Sequence, residues 1–96
     1  MSNNYIDDVK EELLKHIQIG KGLQNVYALL VLVKGQDVTL KDVHDAWSVN
    51  INQTWDFQTN GNHYSLIPFE ELKQSVAEKD QKFVDAIKET AKALGL

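Results

Sequence analysis

Apolar positions recur along this chain at helical spacing, with one stretch that has no period at all. In residues 5–17, YIDDVKEELLKHI, Ile6, Val9, Leu13 and Ile17 share one stripe while Asp7, Asp8, Glu11 and Glu12 fall mostly on the other. That pattern predicts an amphipathic first helix, and its early acids and later Lys15 and His16 suit the helix dipole. After the glycines of QIGKG, the segment LQNVYALLVLVKG is apolar almost all the way round. Val31, Leu32 and Val33 have strand character, but the length and the Lys34-Gly35 ending favour a helix buried at the centre.

Thr39 is a good N-cap, and Asp42 three positions on completes a capping-box pattern for a helix with Leu40, Val43, Trp47 and Ile51 on one face. Residues 53–64, QTWDFQTNGNHY, lack a period and carry Asn60-Gly61, which predicts a loop or a short hairpin setting Trp55 and Phe57 against residues near Tyr64. Pro68 opens a short helix, PFEELKQ. Ser75 and Glu78 then form a second capping-box pattern. It predicts a final helix burying Phe83, Ala86, Ile87, Thr90 or Ala91, and Leu94, with Gly95 just past its end. The expected fold is all-α: one domain over residues 1–96, a compact bundle of four to five helices with an irregular aromatic loop between helices 3 and 4.

Composition narrows the function classes. The chain has 96 residues, 43% hydrophobic and 25% charged, the balance of one ordinary globular domain. A net charge of −4 repels phosphate backbones and anionic lipid surfaces, so nucleic-acid and membrane partners are not expected. There is no cysteine, the longest apolar run (residues 26–33) is too short for a bilayer, and the polar N-terminus has no secretion signal. A cytoplasmic location is the expectation.

Catalytic chemistry has no positive sign. His16, His44 and His63 form no metal-binding helical spacing, Ser65 lacks the glycines of a nucleophile elbow, and no glycine-rich phosphate loop is present. The acidic pairs Asp7-Asp8 and Glu70-Glu71 sit at helix starts, where capping and solvation account for them. The last helix interleaves its lysines with acids as a solvated face. Neither an enzyme nor a cofactor is expected.

The aromatic residues are less evenly spread. DVHDAWSVNINQTWDF, residues 42–57, holds both tryptophans, His44 and Phe57, and His63 and Tyr64 follow soon after. Trp47 on an apolar stripe fits a core residue, whereas Trp55 and Phe57 in a loop must dock on something. Indole and imidazole beside Asn50, Asn52, Gln53 and Asn62 are also the materials of a site that stacks a planar ring and reads its edge.

The fragments VHDAW, TWDF, HYSLIPFEEL and EKD, in that order, resemble the ryanodine-receptor repeat domain. Its pattern runs Val-His-x-x-Trp, Gly-Trp-x-Tyr, His-Pro-x-Leu-Val-Pro-Tyr-x-x-Leu and Lys-x-x-Asp. The likeness covers residues 43 to about 80, and the chain is also similar to small phage and prophage proteins with the same His-x-x-Trp and Ser-Leu-x-Pro-Phe core. The resemblance implies a small helical binding domain with an adenine-nucleotide pocket, the tryptophan of Val-His-x-x-Trp stacking on the base. Carried to this chain, that residue is Trp47, with His44 beside it and Trp55 on the loop; Phe57, His63, Tyr64 and Ser65 complete the candidate ligand-binding set.

The receptor repeats come in pairs, which implies a homodimer joining two Trp47 faces. Thr54, Phe57 and Tyr64 replace the family's glycine, tyrosine and proline, and its basic residues before the histidine are missing. An anionic ligand therefore has Lys34, Lys41, His44, His63 or Lys79 to neutralise it. Two functions follow as expectations. One is capture of a nucleotide-type messenger, as a phage sponge against host immunity; the other is a protein–protein module whose loop aromatics are hot spots.

Overall fold

The structure, a computed structural model, describes residues 4–96. Helix α1 (Tyr5–Leu13) starts where the Asn4 side chain accepts a hydrogen bond from the Asp7 N–H at 3.0 Å. It ends before Ile17 because the backbone tightens to i→i−3 bonds, Lys15 N–H to the Glu12 carbonyl at 3.1 Å and His16 N–H to the Leu13 carbonyl at 3.0 Å, while the Lys15 and His16 side chains reach the Glu12 carboxylate at 3.2 and 2.9 Å. Those two partners hold the Glu12 carboxyl below the usual carboxylate range.

Helix α2 (Lys21–Val33) packs on α1, α3 and α6 and buries Tyr27, Ala28 and Val31. Contrary to the expectation of burial all round, its outer stripe is open, with Leu29 and Val33 56% and 63% exposed. Three neighbours cannot enclose a helix of this bundle completely. Gly35, at φ 57, ends the helix in the left-handed conformation that glycine adopts without a Cβ clash.

Helix α3 (Leu40–Thr54) carries the full capping box: Asp42 N–H to Thr39 Oγ1 at 3.2 Å, and Thr39 N–H to Asp42 Oδ2 at 2.9 Å. Beyond it, of the loop and the short hairpin that the sequence left open, the hairpin does not form, and the described residues contain no strand. Asp56 instead captures the Thr59 N–H at 3.1 Å and winds a single helical turn, α4 (Phe57–Asn60). Gly61 closes that turn at φ 68, so Asn60-Gly61 is a helix stop rather than a hairpin tip.

After Pro68 comes one 3-10 turn, Phe69–Glu71, then α5 (Gln74–Ala77), a second 3-10 turn at Glu78–Asp80, and α6 (Gln81–Ala93). Ser75 does not cap the last helix: it lies inside α5, and Glu78 accepts from the Gln74 side chain at 2.8 Å. The α6 stripe buries Val84, Ala86, Ile87, Thr90 and Ala91, with Phe83 packed at its edge. Leu94 lies past the helix end and is exposed, where Gly95 (φ 75) turns the chain.

The core joins Val9 and Leu13 of α1, Tyr27 and Val31 of α2, Val43 of α3 and Ile87 of α6, an all-α bundle of four long helices. No helix among the described residues is long and apolar enough to cross a membrane.

Candidate functional site

His44 is the buried polar residue of α3, at 3% exposure. Its Nε2–H donates to the Ile67 carbonyl at 2.6 Å, which ties α3 to the segment before Pro68. A carbonyl only accepts, so this bond fixes the proton on Nε2. Ser48 Oγ lies 3.4 Å from the same nitrogen, which therefore cannot take its proton. The pair does not form a nucleophile–base unit.

Trp47, one helical turn on, stacks against His44 with centroids 5.7 Å apart and planes at 25°. Phe69 approaches His44 at 6.2 Å. His63 stands edge-on to Trp47 at 5.1 Å and to Trp55 at 4.7 Å, while its face stacks on Tyr64 at 5.0 Å. The loop is held around this ring. Ser65 N–H donates to His63 Nδ1 at 3.0 Å, and Trp55 Nε1–H donates to the Gly61 carbonyl at 2.8 Å.

A cleft of about 290 Å³ opens beside this cluster. Five of the seven candidate residues line it: His44, Trp47, His63, Tyr64 and Ser65. Trp55 and Phe57 do not; Trp55 stands behind His63, and Phe57 is half-buried on α4. The far wall is Leu72, Val76, Lys79 and Asp80. Val76, Lys79 and Asp80 stand three and four residues apart, a helical spacing that was available as a signal for this wall, whereas Leu72 precedes α5 in extended backbone.

Of the candidate cations, Lys79, His44 and His63 reach the cleft. Lys34 and Lys41 pair instead with Asp42 at 3.5 Å and Asp45 at 2.7 Å, and the Asp45 bond raises the Lys41 pKa. The Asp80 carboxyl is pushed above the usual carboxylate range by burial, with His44 and Lys82 pulling the other way. The cleft thus combines flat apolar rings, one lysine and one partly buried acid whose pKa is raised. Tyr64 stands at the mouth, 84% exposed. No group of three histidines or carboxylates among the described residues is placed to hold a metal ion.

Residues 3–92 match a family described as a domain of unknown function, DUF7701. No curated protein and no solved structure matches the chain.

Proposed function

The chain belongs to the DUF7701 family of domains of unknown function, and from that starting point we propose that it is a non-enzymatic binding module for a nucleotide or nucleotide-derived signalling molecule. The observation that carries this reading is the convergence of Trp47, His44, His63 and Tyr64 on one cleft that also contains Lys79. Planar rings favour a planar heteroaromatic ligand, stacking on which is worth about 1–3 kcal/mol per base. Ser65 supplies a donor and the Asp80 carboxyl an acceptor for the ligand's ring edge, and Lys79 supplies the cation for a phosphate.

The likeness of Val43-His44-Asp45-Ala46-Trp47 to the ryanodine-receptor repeat supports the same stacking residue. A module that binds and does not turn over its ligand acts by sequestration. In a phage setting that ligand is a host immune messenger, and the protein is a sponge.

The experiment is a panel of adenine nucleotides, cyclic dinucleotides and ADP-ribose derivatives, followed by tryptophan fluorescence and melting temperature together. A ligand of the native state changes emission and raises the melting point by mass action. Silence across the panel at concentrations well above micromolar refutes the nucleotide reading.

A second reading has its own observation. Tyr64 at 84% exposure and Ile67 at 37% flank a neighbouring cleft of about 260 Å³ that shares Tyr64, Ser65, Leu72 and Val76 with the first. Exposed aromatic and aliphatic side chains at a groove suit a protein partner, with Tyr64 as the hot spot. Under that reading Tyr64→Ala abolishes capture of the partner in a pull-down while the nucleotide panel stays silent.

A further inference from the structure

Leu29, Val33 and Val49 are 56%, 63% and 52% exposed, and all three belong to one face built by α2 and α3. On α2, Val26, Leu29, Leu30 and Val33 have the spacing of a single stripe; on α3, Asp42, Asp45, Ala46 and Val49 repeat it. The helices run antiparallel. Lys34 meets Asp42 at one end, and at the other Gly22 lies so close to the Asn50 side chain that a Cβ there would collide with it. Between the stripes runs a groove of about 230 Å³, with Val26, Leu30 and Ala46 half-buried in it and Leu29 and Val49 standing out at its edges.

We propose that this face docks a second copy of the chain, two α2–α3 pairs closing across a two-fold axis into a four-helix bundle. The occupant is argued from pattern and charge. An antiparallel helix pair with matched stripes on both helices presents the knobs and holes that an identical pair needs. The charges at one end of the groove cancel in pairs, Lys34 with Asp42 and Lys41 with Asp45, although the whole chain carries −4. A strongly basic or acidic partner therefore finds no net field there, whereas a copy meets a neutral surface like its own.

The Trp47 face suits a second copy less well, because Trp47 is only partly exposed and already packs against His44 and His63. Pairing through the aliphatic face leaves the aromatic cleft, on the other side of α3, open in each copy.

Sedimentation equilibrium of the full chain from micromolar to near-millimolar concentration tests this. The expected result is a mass rising from 10.9 kDa toward twice that value. Leu29→Lys and Val49→Lys, both at exposed positions that keep the fold by circular dichroism, weaken association at least about tenfold. Tyr5→Lys, at a position 68% exposed on α1, leaves it unchanged. A monomeric mass at every concentration overturns the proposal and gives the face to a different protein. A dimer that persists in both α2–α3 variants overturns it as well, since the contact then lies elsewhere.

Discussion

His63 stands edge-on to Trp47, 5.1 Å between ring centroids, and this contact joins a loop without helical period to α3, the longest helix among the described residues. The same imidazole touches Trp55 and stacks on Tyr64, so one side chain organises three others. The mouth of the cleft takes its shape from that arrangement.

His63→Ala removes three ring contacts and the acceptor for Ser65 N–H at once. Aromatic pairs contribute about 0.5–1.5 kcal/mol each beyond burial, so a loss of about 1–3 kcal/mol is expected after neighbours relax. Urea unfolding followed by tryptophan emission measures it. A loss below about 0.5 kcal/mol would mean that the loop holds its place without the ring.

Trp47→Phe separates stacking from packing. Phenylalanine keeps an apolar ring on the stripe, so the melting temperature falls modestly while affinity for a stacked ligand drops by part of the about 1–3 kcal/mol that a stacked base contributes, the smaller ring covering less of it. Trp47→Ala, in contrast, costs about 3–5 kcal/mol of stability if the indole serves only as core. Equal ligand affinity in wild type and Trp47→Phe removes the indole from the binding model.

Asp80 gives a pH signature. Burial raises its pKa in the folded state, so protonation favours folding: that stabilisation is complete below the unfolded carboxyl's value, near about pH 4, and is lost as pH rises through the folded value. Asp80→Asn removes this dependence. The variant is expected to melt above wild type at pH 7, by less than about 1 kcal/mol because the group is partly solvated, with the gap closing as pH falls toward 4. The same substitution tightens binding of an anionic ligand beside Lys79. Thermal melts at a series of pH values decide it, and a gap that widens on acidification would contradict the assignment.

What was legible in the chain follows the range of each interaction. The Thr39–Asp42 box and the His44–Trp47 pair are local, three residues apart, and sequence spacing places both. The all-α bundle follows from periodicity that α1, α2, α3 and α6 keep. The turn at Asp56 escaped because one helical turn is shorter than any period, and Asn60-Gly61 imitates a hairpin signal. Ser75 and Glu78 match a capping box on paper, but α5 and a 3-10 turn occupy those positions, so α6 opens only at Gln81. The place of His63 between two indoles depends on tertiary contacts 16 and 8 residues away in sequence, which no local pattern encodes. Trp55 consequently supports the cleft from behind and does not line it.

Tyr27 offers a test of the core itself. It is fully buried against Phe83, with ring centroids 5.5 Å apart, and its hydroxyl has no hydrogen-bond partner among the described residues. Burial and the nearby Asp80 carboxylate both push its pKa upward, so the hydroxyl is a protonated donor at neutral pH. A buried donor left unmet destabilises a fold by about 1–3 kcal/mol, while the ring around it still contributes its full apolar area. Tyr27→Phe keeps the ring and removes only the unmet group. Stability is therefore expected to hold or to rise by about 1 kcal/mol, against the loss that truncating any other fully buried side chain brings. A fall of more than about 1 kcal/mol in chemical unfolding would show that the hydroxyl is satisfied in solution, most simply by a buried water shared with Asp80.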